Sequence, residues 1–266
     1  MRIVRRSTRQ RQLKLREQAY DVFTRHLLEK RLLPGQFVSQ RELAAMTSMS
    51  LAAIREMIPR LEAEGLIKAI SQRGLQIVHV DLQMVLDAFQ LREMIETTAV
   101  QAFVARAPEA TVRDLVERLR RLQAEAARAV TPALLQEAQA ADWAMHDAFV
   151  EALGNQLVSN IHRVNSIRVR MIMQDRIGLT PARVPVAFHE HELVLVAVAR
   201  RDAAGAVAAL RAHLHSSRRR ALSFESFDES STVTPETEGA SEVLPAVDLR
   251  LPPDTPSRLT PVRSGK

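Results

Sequence analysis

The stretch that decides the N-terminal fold is LPGQFVSQRELAAMTSMSLAAIREMIPRLEAEGLIKAISQRG, residues 33–74. It opens on Pro34 and a glycine, a turn signal that separates a first helix from the next one. Ser39 can then cap a short second helix, and after a tight turn Ser50 can cap a third. The apolar residues of this third helix recur at helical spacing: Ile54, Ile58 and Leu61. Two short helices joined in this way predict a helix-turn-helix.

The residues after the third helix predict a small β-hairpin. Gly65 stands where a glycine commonly ends a helix. Residues 66–70 and 75–80 then have the composition of two short strands, and Arg73 lies at the turn between them, where it can enter a minor groove. The order of these signals favours a winged helix-turn-helix over the alternative, which is a set of amphipathic helices in an all-helical domain.

Positive charge is concentrated in the same region. Residues 1–80 hold 15 Lys and Arg against 7 Asp and Glu, a net charge of +8 in a chain of 266 residues whose total is +6. Residues 81–221 carry +2, and the remaining 45 residues carry −4. A basic surplus beside a helix-turn-helix is what binding to DNA phosphates requires. The distribution therefore indicates double-stranded DNA as a partner, rather than a basic surface that serves only solubility.

Composition excludes several other classes of protein. The chain has no cysteine, which excludes disulfides and thiolate metal sites and fits a reducing cytoplasm. No apolar run approaches the length of a membrane span, and the Arg-rich start lacks the apolar core of a signal peptide. We therefore expect a cytoplasmic protein that makes no contact with a membrane.

The chain is expected to be mainly α-helical, with four segments. These are a disordered basic arm at 1–8, the winged helix-turn-helix domain at 9–80, a region of helices at 81–225 and a disordered tail at 226–266. Helices are predicted at about 9–30, 82–106, 109–130, 131–153, 155–175, 186–200 and 202–224. The tail is rich in Ser, Thr, Pro and Glu, so it buries too little apolar surface to offset its chain entropy.

A second group of residues has the composition of a metal site. Asp142 and His146 are four residues apart, so both project from one face of a helix. His191 follows on a later helix and His213 on the last. One carboxylate and three imidazoles suit a divalent transition metal, with zinc first and nickel or manganese as alternatives. An accidental grouping among the eight histidines is the other interpretation.

Catalytic motifs are missing from the sequence. The second histidine of a metalloprotease helix that starts at His189 would fall at Leu193, so that motif fails. The sequence also contains no nucleophile elbow, no phosphate-cradling glycine loop and no dinucleotide fingerprint. We therefore expect a protein that is not an enzyme.

The N-terminal motifs resemble those of the GntR family of bacterial transcription regulators. The matching motifs are Leu33-Pro34-Gly35, Glu42-Leu43-Ala44, Ile54-Arg55-Glu56, Arg60-Leu61-Glu62, Glu64-Gly65-Leu66-Ile67 and Arg73-Gly74. The match extends over about sixty residues, and its specificity lies in the combination. The resemblance implies that Arg41 and Arg55 contact DNA, that Ser50 contacts a phosphate and that Arg73 contacts the groove.

Three further residues complete the predicted DNA-binding set. Leu51 and Ala52 stand where many relatives carry a polar run, so they can offer apolar contacts, for instance to thymine methyl groups, but no hydrogen bonds. Gly74 follows Arg73 in the wing. We call these seven residues the DNA-binding set: Arg41, Ser50, Leu51, Ala52, Arg55, Arg73 and Gly74.

The C-terminal motifs resemble the FCD effector domain of the FadR-type GntR subfamily. The matching motifs are Leu91-Arg92 and Glu96, Asp142-Trp143-Ala144-Met145-His146, Gly154-Asn155, Glu190-His191, and Ala212-His213-Leu214. The resemblance implies an all-α antiparallel helical bundle that holds a metal with Asp142, His146, His191 and His213. It also implies a homodimer on a palindromic operator, most often a repressor that is released by a small organic acid.

Basic or amide side chains are expected to bind the carboxylate of such an effector through charge-assisted hydrogen bonds. The candidates are Arg92, Asn165 and Arg168. Two alternatives stay open on the sequence alone. One is a metal-dependent enzyme fused to a DNA-targeting module, and the other is a regulator whose metal is purely structural.

Overall fold

A computed structural model describes residues 2–223, with side chains from Leu15 onward. The tail predicted at 226–266 lies outside the described residues. Within residues 2–223 the chain forms two compact units. The first unit contains residues 2–95, 155–178 and 214–223, and the second contains residues 96–154 and 179–213.

The N-terminal part of the first unit is a winged helix-turn-helix, as the sequence predicts. Its elements are α1 (Arg2–Leu28), β1 (Phe37–Val38), α2 (Gln40–Thr47), α3 (Leu51–Ala63), β2 (Ile67–Ile70) and β3 (Gly74–Ile77). Ser39 and Glu42 cap α2 reciprocally. The Glu42 N–H donates to Ser39 Oγ at 3.1 Å, and the Ser39 N–H donates to the Glu42 carboxylate at 2.6 Å. Ser48 adopts a left-handed conformation and ends this helix.

Helix α1 is longer than the sequence predicts. It begins at Arg2 rather than Arg9, so the segment expected to be a disordered arm is helical from Arg2 onward. Between Arg2 and Leu28 the chain has no proline or glycine and many arginines and glutamines, which favour helix. A helix that has nucleated can therefore propagate back to the start of the described chain.

The wing contains a strand that the sequence does not predict. β2 and β3 pair antiparallel with Ile67 opposite Ile77, and β1 pairs with the other edge of β3. β1 has only two residues, which is too short for a periodic pattern to be visible. The wing is therefore a three-stranded sheet rather than a simple hairpin.

The rest of the described chain is helical, which confirms the predicted fold class. Its elements are α4 (Leu82–Arg106), α5 (Glu109–Ala126), α6 (Pro132–Glu151), α7 (Gln156–Arg176), a 3-10 turn (Pro181–Arg183), α8 (Val184–Ala199) and α9 (Ala203–Ser223). Thr131 Oγ1 caps α6 by accepting from the Leu134 N–H at 3.1 Å. Within residues 2–223, no helix combines the length and the apolar content needed to cross a bilayer.

The second unit has its own apolar core. α5 buries Val112, Val116 and Leu119 on one face, at spacings of four and three residues. Phe103 of α4 and Phe149 of α6 meet edge to face, with ring centroids 5.0 Å apart. This packing fixes the part of α4 in the second unit against α6, the helix that carries two of the predicted metal ligands.

Helix α7 belongs to the first unit, although it lies between two segments of the second in the sequence. α4 and α9 contribute residues to both units. The compact units therefore do not follow the boundary that the sequence suggests near residue 80. The division into a winged domain at 9–80 and a helical domain at 81–225 stays a prediction.

Candidate nucleic-acid interface and metal centre

The third helix of the winged region, α3, has one buried and one exposed face. Its buried side chains fix it in the first unit: Ala53, Ile54, Met57, Ile58 and Leu61. Leu51, Ala52 and Arg55 are exposed. In a helix-turn-helix the exposed face of this helix is the one that reaches the base edges of the major groove. The positions of these three residues therefore suit the predicted reading role.

Ser50 caps α3, since its Oγ accepts from the Ala53 N–H at 3.2 Å. An N-terminal helix end presents backbone N–H groups that favour a phosphate. Ser50 can cap the helix while the backbone N–H groups of the first turn bind a phosphate. The cap and the predicted phosphate contact are therefore compatible.

Two arginines of the DNA-binding set are held by side chains that sequence reasoning does not identify. Arg55 Nε donates to Gln40 Oε1 on α2 at 3.2 Å. The guanidinium of Arg73 lies 4.0 Å from the ring centroid of Phe37 on β1, a cation–π contact. Both contacts restrict an otherwise mobile arginine. No pattern in the sequence identifies Gln40 or Phe37. Each of them contacts an arginine on a different element, and the contact exists only in the folded chain.

Gly74 has a backbone role in the structure. Its φ is +91°, and a Cβ at this position would lie 3.0 Å from the Val38 carbonyl oxygen. Glycine therefore allows β3 to approach β1 closely. All seven residues of the DNA-binding set are exposed, including Arg41 at the start of α2. DNA contact by these residues stays a prediction.

In the second unit the structure brings together the four predicted metal ligands. We call Asp142, His146, His191 and His213 the His3Asp cluster. All four side chains are buried, and their ligand atoms lie within 4.8 Å of one another. The three imidazole Nε2 atoms face a single oxygen, Asp142 Oδ1. The distances are 2.9 Å from His191, 3.3 Å from His146 and 4.0 Å from His213.

Further side chains orient the members of the cluster. His146 Nδ1 lies 2.6 Å from Glu96 Oε2, and His213 Nδ1 lies 3.0 Å from Glu190 Oε2. Because a carboxylate only accepts, each Nδ1 donates, so in the neutral imidazole Nε2 carries the lone pair that faces the centre. Gln139 Nε2 donates to Asp142 Oδ2 at 3.1 Å and so turns Oδ1 inward. This is the arrangement by which outer residues set metal ligands.

Two inner atoms of the cluster are unsatisfied in a way that a cation would correct. Asp142 Oδ1 and His191 Nε2 are buried and have no hydrogen-bond partner within the described part of the chain. They are 2.9 Å apart, but this contact lacks hydrogen-bond geometry. Leaving such groups unpaired costs free energy, which a metal ion bound between them would offset. The donor set therefore fits a divalent metal.

The electrostatics of the cluster also favour ligand forms. Burial would raise the pKa of the Asp142 carboxyl, but its contacts with His146 and His191 outweigh burial and hold the pKa well below its usual range. Burial lowers the pKa of His213 to about 4, against the opposing effect of Glu190. At neutral pH the carboxylate is thus ionised and His213 is neutral, and these are the forms that bind metals.

The three predicted effector-binding residues have different surroundings. Arg92 is buried in the first unit. Asn165 Nδ2 donates to the Ala88 carbonyl at 2.9 Å, and Arg168 donates to the Glu64 carbonyl. The last two side chains therefore have hydrogen-bond acceptors within the protein itself. Effector binding by these residues stays a prediction.

The winged helix-turn-helix with an exposed third helix defines a class of DNA-binding proteins. Comparison with known families identifies the family within this class. Residues 15–77 match the family described as bacterial regulatory proteins, gntR family, and residues 87–216 match the FCD domain. The chain belongs to the GntR family of transcriptional regulators and carries an FCD domain.

Individual relatives agree with this assignment. The HTH-type transcriptional repressor GlaR of Escherichia coli (strain K12) is 25% identical over 184 residues, which are 68% of this chain and 84% of GlaR. An HTH-type transcriptional regulator in an unstable DNA locus of Streptomyces ambofaciens is 29% identical over 189 residues, which are 71% of this chain and 77% of that protein. The solved structure of E. coli McbR/YncC shares the fold, with a TM-score of 0.65 at 17% identity over 79% of this chain and 97% of that chain.

Proposed function

We propose that this GntR-family protein is a repressor whose affinity for operator DNA changes when a small carboxylate binds a metal ion in the His3Asp cluster. The observation that carries the proposal is the buried convergence of three imidazole Nε2 atoms on Asp142 Oδ1. A helical domain that bound nothing would gain no stability from this arrangement, because uncompensated buried polar groups are costly.

We propose zinc as the first candidate for the metal, with nickel or manganese as alternatives. Four protein ligands leave coordination positions open on a metal that takes five or six ligands, and a carboxylate oxygen suits such a position. The metal would supply a positive charge that fixes the carboxylate. Glu96, Glu190 and Gln139 would keep the ligands oriented while the effector exchanges.

The ligand atoms of the cluster lie slightly farther apart than the ligand atoms around a bound ion would. Metal–ligand bonds of about 2.1 Å place ligand atoms at most about 4.2 Å apart. The atoms of the cluster lie within 4.8 Å of one another. The Nε2 distances to Asp142 Oδ1, of 2.9, 3.3 and 4.0 Å, already lie within this limit. A small approach of the imidazoles to one another would close the difference.

We also propose that the protein binds a palindromic operator as a homodimer in the cytoplasm. Winged and other helix-turn-helix proteins commonly place two copies of the reading helix on two half-sites, so the symmetry of the dimer appears in the DNA. The repressor role is proposed because the relative GlaR is named a repressor. A binding function rather than catalysis is proposed, since the relatives that match this chain are named as regulators.

The test combines two measurements on one preparation of the full chain. Selection from random double-stranded DNA should enrich a short palindrome, and elemental analysis should find about one divalent ion per chain. Protein that enriches no sequence would contradict the DNA-binding part. Protein that retains none of zinc, nickel or manganese after each has been supplied would contradict the metal part.

A further inference from the structure

Helix α7 makes several polar contacts with the winged helix-turn-helix in the first unit. The contacts lie between the middle of the helix and its C-terminal end, and four of them end on backbone carbonyls. Gln174 donates to the Leu28 carbonyl at the end of α1, and Arg176 Nη2 donates to the Val80 carbonyl at 2.7 Å. In return, Lys30 Nζ donates to the Gln174 carbonyl at 2.8 Å. Because α7 lies within the FCD match, these contacts join the FCD part of the chain to the DNA-binding part.

Arg168 of α7 binds the C-terminal end of α3, the helix that is proposed to read the operator. Its guanidinium donates to the carbonyl of Glu64, the residue that caps α3. The next residue, Gly65, has φ +64°, and a Cβ on it would lie 3.3 Å from Arg168 Nη2. A cation at this end of a helix is favoured, since the last carbonyls carry a partial negative charge. Arg168 thus satisfies an acceptor that the helix itself leaves open.

Arg163, five residues earlier on α7, contacts the side chain of the same residue, Glu64. Arg163 Nη1 donates to the Tyr20 hydroxyl at 2.8 Å, and its Nη2 lies 3.4 Å from Glu64 Oε1. Tyr20 in turn donates to Glu64 Oε2 at 2.5 Å. Burial, together with the hydrogen bond to Glu64, raises the pKa of Tyr20 to about 12, so the hydroxyl stays protonated and able to donate.

Arg60 completes the group from within α3. Its Nε lies 3.0 Å from Glu64 Oε1, and its guanidinium lies 3.7 Å from the centroid of the Tyr20 ring. Glu64 is largely buried, with a side-chain exposure of 15%. Its carboxylate therefore joins α1, α3 and α7 at one point, and charge-assisted hydrogen bonds of this kind are stronger than neutral ones.

We propose that Arg163 and Arg168 of α7 are positioning residues for DNA recognition, because they fix the C-terminal end of α3 and thereby the direction of its exposed face. The proposal rests on the proposed role of α3 in reading the operator. It gives Arg168 a task other than the effector contact expected from the sequence. It also makes α7 the element through which a change in the FCD part of the chain can reach the reading helix.

The test compares specific and non-specific DNA binding of the full-length variants Arg163→Ala and Arg168→Ala. Each should weaken operator binding about fivefold or more, the lower end of common coupling effects. Binding to non-specific DNA, and the dependence of that binding on salt, should not change, because the phosphate contacts remain. Arg113→Ala on α5 removes the same charge from an exposed site and should leave both affinities unchanged.

A double-mutant cycle with Glu64→Gln separates the two arginines. Arg163 contacts the Glu64 carboxylate as well as the Tyr20 hydroxyl, so its substitution should lose part of its effect in the Glu64→Gln background. Arg168 contacts the backbone carbonyl, so its effect should persist there. Thermal unfolding identifies any variant that does not fold. At such a position the conservative Arg→Lys variant is measured instead of the alanine variant. The lysine variant should retain part of the operator affinity, because lysine can still donate a single hydrogen bond.

Three results would overturn the proposal. They are unchanged operator affinity in both folded variants, an equal loss of specific and non-specific binding, and a loss in Arg113→Ala as large as in the α7 variants. The second result would mean that the arginines contact phosphates themselves. Failure of the proposed function looks different, since wild-type protein would then select no operator at all.

Discussion

The two candidate functional regions of this protein are built on opposite principles. The DNA-binding set lies on exposed surfaces, where Arg55 and Arg73 each have one neighbour that restrains them. The His3Asp cluster is buried, and its orientation is set by hydrogen bonds with side chains on several helices. Apart from Ser50, which caps α3, and Gly74, whose φ is positive, the exposed residues of the DNA-binding set can be exchanged with little effect on folding. A buried polar centre depends on every partner, because each unsatisfied group carries a cost.

This difference decides what a substitution should affect. Changes at the exposed arginines of the DNA-binding set should alter DNA affinity and leave thermal stability unchanged. Changes in the buried cluster should alter metal binding and stability together, since a ligand that binds only the folded state stabilises it. Three variants test that separation, and the double histidine variant should have the largest effect.

The double substitution His191→Ala and His213→Ala should abolish metal binding. With zinc at about 1,000 times its dissociation constant, the wild-type chain should gain about 4 kcal/mol of stability, and the variant should gain none. Thermal unfolding with and without zinc measures this gain. His215→Ala is the matched control, because that exposed imidazole is also on α9 and contacts Glu93 instead of the cluster. A variant that zinc stabilises as much as the wild type would show that the cluster is not the metal site.

Arg55→Ala should weaken specific operator binding by about 1–3 kcal/mol, because one arginine contact to a base edge is lost. The melting temperature should stay close to that of the wild type, since Arg55 is exposed. Fluorescence anisotropy at fixed salt measures the affinity. If affinity is unchanged at the same salt, Arg55 does not read DNA. A large loss of stability would instead contradict the separation between the two regions.

Glu96→Gln should lower zinc affinity about 10- to 100-fold, although Glu96 is not a ligand. Its carboxylate fixes the His146 Nδ1 proton, and an amide can present its donor instead of its acceptor to that nitrogen. Competition with a chromogenic chelator measures the affinity. Operator binding by the metal-free variant should equal that of the metal-free wild type, which separates the effect from misfolding. Unchanged zinc affinity would mean that His146 is oriented by other contacts.

The two regions also differ in how far the sequence predicts them. The winged helix-turn-helix depends on local signals, such as Ser39 and Ser50 as caps, so a linear pattern is sufficient. The two-residue strand β1 escapes prediction because it exists only through pairing with β3. The predicted start of α1 is too late because an arginine-rich segment suits both a solvated tail and a helix.

In the proposed metal centre, the spacing of Asp142 and His146 and the family resemblance predict the ligands, whereas the sequence assigns no role to their supporting residues. Glu96 stands out only as part of a motif, and Glu190 only as the neighbour of His191. Gln139 precedes Asp142 by three residues on the same helix, a spacing that could identify it. The contacts of Arg163 and Arg168 with Glu64 span about a hundred residues of sequence, and no local pattern encodes such a contact.

The most direct test of the mechanism joins the two regions in one titration. Operator affinity of the full chain is measured with a panel of small carboxylates, once with zinc bound and once after the metal has been removed. An effective carboxylate should shift the affinity of the zinc-bound protein by about 1–3 kcal/mol. It should cause no shift in the metal-free protein. Metal-free wild type that responds to the same carboxylate as strongly as the zinc-bound protein would contradict the proposed mechanism and leave the DNA-binding assignment intact.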